Sequence, residues 1–566
     1  MELLLDRLVR FLHELRRRRV YGVSVVAAAV AWGVIEVASV VLATFHAPDW
    51  VMQFVLVAAI VGVVTSILLA WIYKIGPEGI ERDVAIPKPL VAPDSVGDEK
   101  PSLVVLPFID LDPDSTNSYV GDGLMELLIA RLAAIRSLSV ISRTTASQYR
   151  GTHKVIPQIA GELNVRYLIE GSILRSGEQL QVVVQLIDGR TDRHLWSETY
   201  SRPLNDLLTL LNEIAATVAG EVSVTLTPSE AARLARAQSL EPAALDAYLK
   251  GCHFLSRRSA ENFRKALSAF NQAIEIVPHF SAAYARVSDI QIMSALYGFT
   301  RPLDSFPLAR ASAEKAIALD ASSAEALSSR GTVRMFADWD FPGAEKDFLR
   351  SLAINPSYPM AHLAYGDLLW VFGRGDAALD HMWKAVRVDP LDLGMNMNLG
   401  DFLMFAGRFA ESAAQHRRGL EFNPDFIPSR VRLARVLALA GDGKGALAEL
   451  DRLQAAAPRP IWLEASVLTH ALLGNRDQAR AALDTWRGES DVRLPPLQVA
   501  WAYAALGEHD AAIEWLEKSL EERSPALIFC HVQPAFRSLK ADARFQAVLQ
   551  RIGIPATPSK ESSATA

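Results

Sequence analysis

Pro356, Pro390, Pro424 and Pro458 stand 34 residues apart over three successive intervals, and the residues ahead of each proline repeat one pattern. Small, bulky and small side chains fall at fixed offsets: Ala344, Phe348 and Ser351 before Pro356, then Ala378, Met382 and Ala385 before Pro390. The pattern weakens to Ser412, His416 and Gly419 before Pro424, and to Ala446, Leu450 and Leu453 before Pro458. A strict period of this length implies one helix-turn-helix unit stacked on copies of itself, because a single unit cannot bury its own apolar face. About half of the chain is therefore expected to build a binding surface rather than a catalytic pocket.

At 566 residues the chain exceeds what one core can hold, so several domains are expected. Half of the residues are apolar and 22% are charged, a balance that predicts a mostly folded chain. The net charge of −6 argues against nucleic acid as the main partner, since that binding runs on clustered Lys and Arg. Cys252 and Cys530 lie far apart without metal-ligand spacing and read as buried structural thiols.

Two apolar runs open the chain, residues 20–45 and 51–73. Each is long enough to cross a hydrocarbon core of roughly 30 Å, and the connection His46, Ala47, Pro48 and Asp49 is so short that the two must form an antiparallel hairpin within residues 20–75. Trp50 and Trp71 sit near the ends of the second run, where amphipathic rings favour the interface. Arg16 to Arg19 precede the first run, Lys74, Arg82 and Lys88 follow the second, and the connection carries no Lys or Arg. The positive-inside rule then puts both ends in the cytoplasm. Residues 1–19 alternate leucines with charged residues and suit a basic amphipathic helix on the inner leaflet, so residues 1–75 are expected to meet the lipid bilayer. Glu36 is the odd residue within the first run, where a carboxylate costs about 2.5–3.5 kcal/mol. It is expected to bond to the partner helix or to a second protomer, which admits a homo-oligomer.

Residues 76–101 carry five prolines and no apolar period and read as a semi-extended linker. Beyond them strands and helices alternate: a strand from Ser102, a helix that Asp122 is placed to cap, a strand near Leu138, a helix at Ile156–Leu163, three consecutive strands from Arg166 to Thr199, and a helix from Leu204 to about Val222. Residues 102–228 thus form a mixed α/β domain. Val105-Leu106-Pro107-Phe108, Gly121-Asp122-Gly123-Leu124, Tyr167 through Ser172, and Gln185 through Asp188 with His194 through Tyr200 resemble the TolB amino-terminal and FlgO-like families. Glu14-Leu15-Arg16-Arg17, Ala47-Pro48-Asp49-Trp50 and Gly76-Pro77-Glu78-Gly79-Ile80 look like the anchor of bacterial proteins that join this domain to tetratricopeptide repeats. The resemblance implies a bacterial inner-membrane interaction protein and brings no catalytic residues. Such relatives often carry an adenylate cyclase or winged-helix domain ahead of the membrane segment. Only about nineteen residues precede it here, so that output domain is expected to be absent or supplied in trans.

The repeat unit recurs outside the strict run, at Ala266, Phe270 and Ala273 with Pro278, at Ala309, Ala313 and Ala316, and in decayed form at Ala479, Leu483 and Trp486 and at Ala512, Leu516 and Ser519. It resembles the tetratricopeptide family, about eight units over residues 241–551 in an all-α superhelical solenoid, with a polar tail at 555–566. Such solenoids expose a concave face lined by the first helix of each unit. Projecting the pattern puts Asp367, Trp370, Asn398, Asp401, Arg432 and Arg435 on that face, where arginines suit carboxylates and the tryptophan an apolar anchor of a bound peptide.

No constellation for catalysis, metal or cofactor is legible. Gly441, Gly443 and Gly445 around Lys444 lack Walker spacing and sit between repeat helices. Gly121 and Gly123 ahead of a helix are better placed for an anion, yet remain a weak signal. His362, His381, His416 and His470 fall in repeat helices without ligand spacing. The expectation is a non-enzymatic, membrane-anchored scaffold that binds proteins or peptides through its solenoid. The alternative is a regulatory subunit of a signalling system, a nucleotide cyclase or transcriptional regulator supplied in trans.

Overall fold

In a computed structural model of the chain, the described residues are 31–36, 38, 48, 50–59, 62, 100–111, 118–235, 240–255, 259–489 and 494–554, with the backbone alone at 73–76 and 79–82. They divide into two compact units, Met1–Pro87 and Lys88–Ala566. The basic segment 1–19 and the tail 555–566 lie outside the described residues, as do most of both apolar runs and of the linker.

In the first unit, residues 31–36 and 50–59 are helical, and Trp32, Trp50, Phe54 and Val57 are exposed, as is Glu36. Among the described residues no helix is long and apolar enough to cross a membrane. β1 (Tyr73–Gly76) pairs antiparallel with β2 (Gly79–Arg82), Tyr73 opposite Arg82 and Gly76 opposite Gly79. This ladder takes up residues that the sequence assigns to the end of the second apolar run and the start of an extended linker.

The second unit begins with a mixed sheet. β3 (Ser102–Val105) lies parallel between β5 (Ser139–Val140) and β6 (Tyr167–Ser176), and the short β4 (Ile109–Asp110) runs parallel to the far end of β6. β7 (Gln179–Asp188) and β8 (Arg193–Pro203) extend it antiparallel. β7 alternates buried Leu180, Val182, Val184 and Leu186 with more exposed residues, the period of two that a sheet with one packed face requires. α1 (Ser118–Ala133), α2 (Arg143–Ser147), α3 (Ile156–Leu163) and α4 (Leu207–Glu221) complete the domain. α1 starts a turn earlier than Asp122. That residue therefore caps nothing; its carboxylate instead pairs with His253 Nδ1 at 2.9 Å and with Arg150. Gly123 packs against Leu249 so closely that a Cβ would clash, and Gly121 lies against Phe108, so these glycines serve helix packing.

After α5 (Pro228–Leu234) the described residues form eight antiparallel helix pairs. They are α6 (Pro242–Leu255) with α7 (Ala260–Ile276), α8 (Ser281–Leu296) with α9 (Pro302–Leu319), α10 (Ala324–Val333) with α11 (Phe341–Ile354), and α12 (Pro359–Val371) with α13 (Gly375–Val388). α14 (Leu393–Phe405) follows with α15 (Phe409–Phe422), α16 (Ile427–Leu439) with α17 (Gly443–Ala456), α18 (Arg459–Leu472) with α19 (Arg476–Gly488), and α20 (Pro496–Leu506) with α21 (His509–Glu521). The small-bulky-small triplets lie on the second helix of each pair and are buried throughout, because small residues let the helices close and the bulky one fills the gap. The periodic prolines end those second helices, having no N–H to continue them. Just before them Asn355 Oδ1 accepts from Ser357 N at 3.0 Å, and Asn423 Oδ1 from Asp425 N at 3.0 Å, so an Asx turn carries the chain into the next repeat.

Past α21 two 3-10 turns, Pro525–Phe529 and Pro534–Leu539, and α22 (Ala543–Arg551) fold back on earlier repeats. Phe529 stacks on Phe405 with ring centroids 6.2 Å apart, and Arg523 donates to the Ala337 carbonyl at 3.1 Å. The α/β domain docks at the other end. Arg286 of α8 reaches Glu126 of α1 at 2.8 Å, and Asp246 of α6 receives both Tyr119 at 2.5 Å and Arg175 at 2.7 Å.

Candidate functional site: a cavity inside the solenoid

The concave side of the solenoid is drawn into a cavity of about 990 Å³. The first helices of seven successive pairs, α8 through α20, supply its wall, and α1 with residues 140–144 and the C-terminal turns close in on it. Repeat register decides which side chains face inward. Leu363, Met397, Val431, Glu464 and Leu497 share one repeat position; Ala364, Asn398, Arg432, Ala465 and Gln498 share the next; Asp367, Asp401, Arg435, Leu468 and Trp501 share a third. All fifteen line the cavity.

Asp367, Asn398, Asp401, Arg432 and Arg435 of the predicted face are thereby brought together. Trp370 is not. It is 7% exposed, packed edge-on against Phe402 and Phe405 at centroid distances of 6.0 and 5.7 Å. Three residues beyond Asp367 the helix has turned about 300°, which leans Trp370 into the neighbouring first helix rather than the cavity. The face is also not an open groove, because the α/β domain and the C-terminal turns cover parts of it.

Asp401 is the electrostatic centre. Arg432 Nε donates to Oδ2 at 2.7 Å and Arg435 Nη2 to Oδ1 at 3.2 Å. Burial alone would raise this carboxyl, yet the two guanidinium groups hold it below the usual carboxylate range. Arg435 also lies 5.8 Å from the centroid of the Trp501 ring. Asp367 has no such support: burial, with Asp401 adding to it, holds its carboxyl well above the usual range. Glu464 is pushed up to about 7 by burial, against the pull of Arg435 and Arg432. Glu464 and Trp501 escaped the sequence reading because it projected only the strict run. Continuing the period past Pro458, where it shortens to 33 as from Gly441 to Gly474, carries Arg435 on to Leu468 and Trp501, whereas Glu464 falls at the position of Leu363, Met397 and Val431, which that projection does not include.

The remaining sequence candidates are structural. Asp442 Oδ1 accepts from Gly445 N at 2.9 Å and occupies the helix N-terminus where a phosphate would have to sit. His362 and His381 face each other, Nδ1 to Nδ1 at 3.0 Å, with the other His362 nitrogen on the Pro356 carbonyl at 2.9 Å. Cys252 and Cys530 are buried free thiols, and burial pushes both up to about 12.

A tetratricopeptide repeat family model matches residues 497–524, and with the eight helix pairs it identifies the solenoid as a tetratricopeptide-repeat structure. The family model that matches the α/β domain, over residues 99–217, is that of the HilA/YgeH-like transcriptional regulators, second domain. A protein named putative adenylate cyclase 3 of Rhizobium meliloti is 33% identical over 193 residues, 34% of this chain and 33% of that protein. Small glutamine-rich tetratricopeptide repeat-containing protein 2 of Mycosarcoma maydis is 27% identical over 105 residues, 19% of this chain and 30% of that one. The chain thus spans about a third of the length of these curated relatives. Among solved structures, pilF of Pseudomonas aeruginosa overlaps at 18% identity and a TM-score of 0.29, covering 36% of this chain and 92% of that one. A tetratricopeptide repeat protein from Parabacteroides merdae overlaps at 13% identity and a TM-score of 0.32, covering 48% and 100%.

Proposed function

We propose that this chain is a membrane-anchored, non-enzymatic interaction scaffold of the bacterial inner membrane, its α/β domain of the TolB amino-terminal or FlgO-like kind. Residues 20–75 form the anchoring hairpin, and both soluble domains lie on the cytoplasmic side. The observation that carries the scaffold reading is the wall of the cavity, where five successive first helices, α12 through α20, turn the same three repeat positions toward one space. A surface built by register rather than by one loop suits recognition of an inserted segment of a partner. The apolar runs and the flanking basic residues support the anchor.

A photo-crosslinking amino acid at Asn398 in the full chain, kept in its membrane, is expected to give a discrete heavier adduct. The same group at Lys444, exposed outside the cavity wall, is expected not to give that adduct. No adduct from Asn398, or one shared by both positions, would overturn the reading. A second reading, a regulatory subunit working with an enzyme or regulator in trans, draws on the likeness to the relative named putative adenylate cyclase 3. A nucleotide cyclase in the adduct would favour it.

A further inference from the structure

β8 is an outer strand of the sheet, and among the described residues β7 is its only strand partner. The ladder fixes which of its backbone groups stay free. Leu204 N donates to the Glu178 carbonyl at 2.7 Å, and hydrogen bonding alternates along an antiparallel pair. Arg202, Tyr200, Glu198 and Trp196, opposite Leu180, Val182, Val184 and Leu186, therefore turn their amides and carbonyls toward β7. Ser197, Thr199 and Ser201 turn theirs outward, and Pro203, which has no N–H, ends the run. All three are exposed and carry small side chains, and among the described residues no group bonds to their amides. The Ser201 carbonyl meets the Arg202 guanidinium of its own chain, at a long 3.4 Å. Such an edge is a template for another strand, and edges that must stay single are blunted by charges that repel a like copy. Charge on β8 does the opposite. Glu198 and Arg202 stand two residues to either side of Tyr200, all three on one face. In an antiparallel two-fold pairing centred on Tyr200, Glu198 of each copy lies opposite Arg202 of the other, and Thr199 opposite Ser201. Centring on Glu198 would set the two carboxylates against each other. Both charged groups are available: Glu198 is exposed, and the acids nearest Arg202 on its own chain, Asp206 and Glu213, lie 3.7 and 3.8 Å away. Tyr200 OH donates to Glu198 Oε2 at 2.8 Å, which holds that carboxylate beside the axis.

We propose that β8 pairs with β8 of a second copy of this chain, joining two α/β domains into one continuous sheet through the outward groups of Ser197, Thr199 and Ser201, in the register that Glu198 and Arg202 select. Backbone hydrogen bonds supply the affinity of such an added strand, and the paired charges supply its register. No residue of β8 lines the cavity, so the pairing does not depend on what the cavity holds.

The test is disulfide trapping in the full chain, kept in its membrane. Two differently tagged copies are co-expressed, one with Glu198→Cys and the other with Arg202→Cys; the native thiols, Cys252 and Cys530, are buried. Opposed residues that do not bond to each other bring their Cα atoms to about 4.5 Å, within disulfide reach, and the other Glu198–Arg202 pair of the dimer stays intact. Mild oxidation is expected to give a heterodisulfide in about tenfold higher yield than either variant gives with itself. Thr199→Pro in both copies removes an outward amide and spares the β7 ladder. It is expected to cut that yield about tenfold while circular dichroism stays native. No heterodisulfide above the self-pairs overturns the proposal without relying on the proline. An equal yield with and without Thr199→Pro sinks it as well. Thr199→Cys trapping itself more readily than the mixed pair would centre the pairing on Thr199 and defeat the charge-selected register. Cysteines trapped on another protein instead would assign the edge to a foreign strand and defeat the second copy.

Discussion

His416 occupies the slot that Phe348 and Met382 fill in the two preceding repeats, and Gly400 makes room for its ring, since a Cβ there would lie 2.5 Å from it. Among the described residues, neither ring nitrogen has a hydrogen-bond partner. Burial pushes the imidazole down to about 3, with Arg432 and Arg435 adding to the shift and Asp401 opposing it. The folded state therefore favours the neutral ring, while the unfolded chain takes up a proton near pH 6.5. The stability tied to His416 is fully present above about pH 6.5 and is lost as pH falls toward the folded value, at up to about 1.4 kcal/mol per pH unit. Phe348 already lies over Gly331 in the same arrangement, so a phenyl ring fits. His416→Phe is expected to stabilise the fold by about 1 kcal/mol at pH 7 by removing unpaired buried nitrogens. It should also flatten the loss between pH 6.5 and 4. Denaturant titrations at pH 7 and pH 5 check this, and an unchanged difference between the two would refute it. His362, His381 and His531, each pushed down to about 4 by burial, keep a residual acid sensitivity in the variant.

Within the repeat element, a second period runs beside the prolines. Gly373, Gly407, Gly441, Gly474 and Gly507 all take positive φ at the turn between paired helices. At Gly407 a Cβ would meet nothing within 4 Å, so the requirement there is backbone conformation rather than space. Gly407→Ala is expected to cost about 1 kcal/mol, and Gly407→Asn less, because Asn tolerates the left-handed region. Thermal melts rank the two, and equal losses would remove the conformational argument. The triplets, the prolines and these glycines made the repeats from α12 to α19 legible in the sequence, since each answers a local demand of helix contact or turn. In the repeat before them, α10 with α11, the triplet and Pro356 were equally legible, and only the turn glycine is missing. Trp339 stands 34 residues before Gly373 with a φ of 59°, held by the Arg523 guanidinium 3.7 Å from its ring centroid. A long-range contact there replaces the residue that local chemistry would choose, and no window of sequence contains both partners. Trp370 failed for the opposite reason: its periodicity was right, but inter-repeat packing captured the side chain.

At the scale of the whole molecule, the sequence divided the chain into an α/β domain and a solenoid but held no sign that the two dock. One repeat records the docking. Asn355 and Asn423 close their Asx turns directly, on Ser357 N and Asp425 N. Asp389, at the same repeat position, does not. The Thr145 hydroxyl inserts instead: it donates to Asp389 Oδ1 at 2.7 Å and accepts from Leu391 N at 2.9 Å, while Thr145 N also donates to that oxygen at 3.2 Å. Ser142 N reaches the Val388 carbonyl at 2.8 Å beside it. The α/β domain thus completes a turn of the solenoid from 244 residues away, and Asp389, 3% exposed, depends on it. Thr145→Val keeps the shape and removes the hydroxyl, leaving the Leu391 amide without its acceptor and the carboxylate short of a donor. The expected cost is about 1.5–3 kcal/mol, the range for a buried hydrogen bond to a charged group. Because that cost falls on the contact between domains, calorimetric unfolding should separate into two transitions, whereas the native chain is expected to show one. Thr145→Ser, which retains the hydroxyl, should keep the single transition. If Thr145→Val melts as one transition at the native temperature, the hydroxyl does not hold the domains together, and the docking rests on the Glu126–Arg286 and Asp246–Arg175 pairs instead.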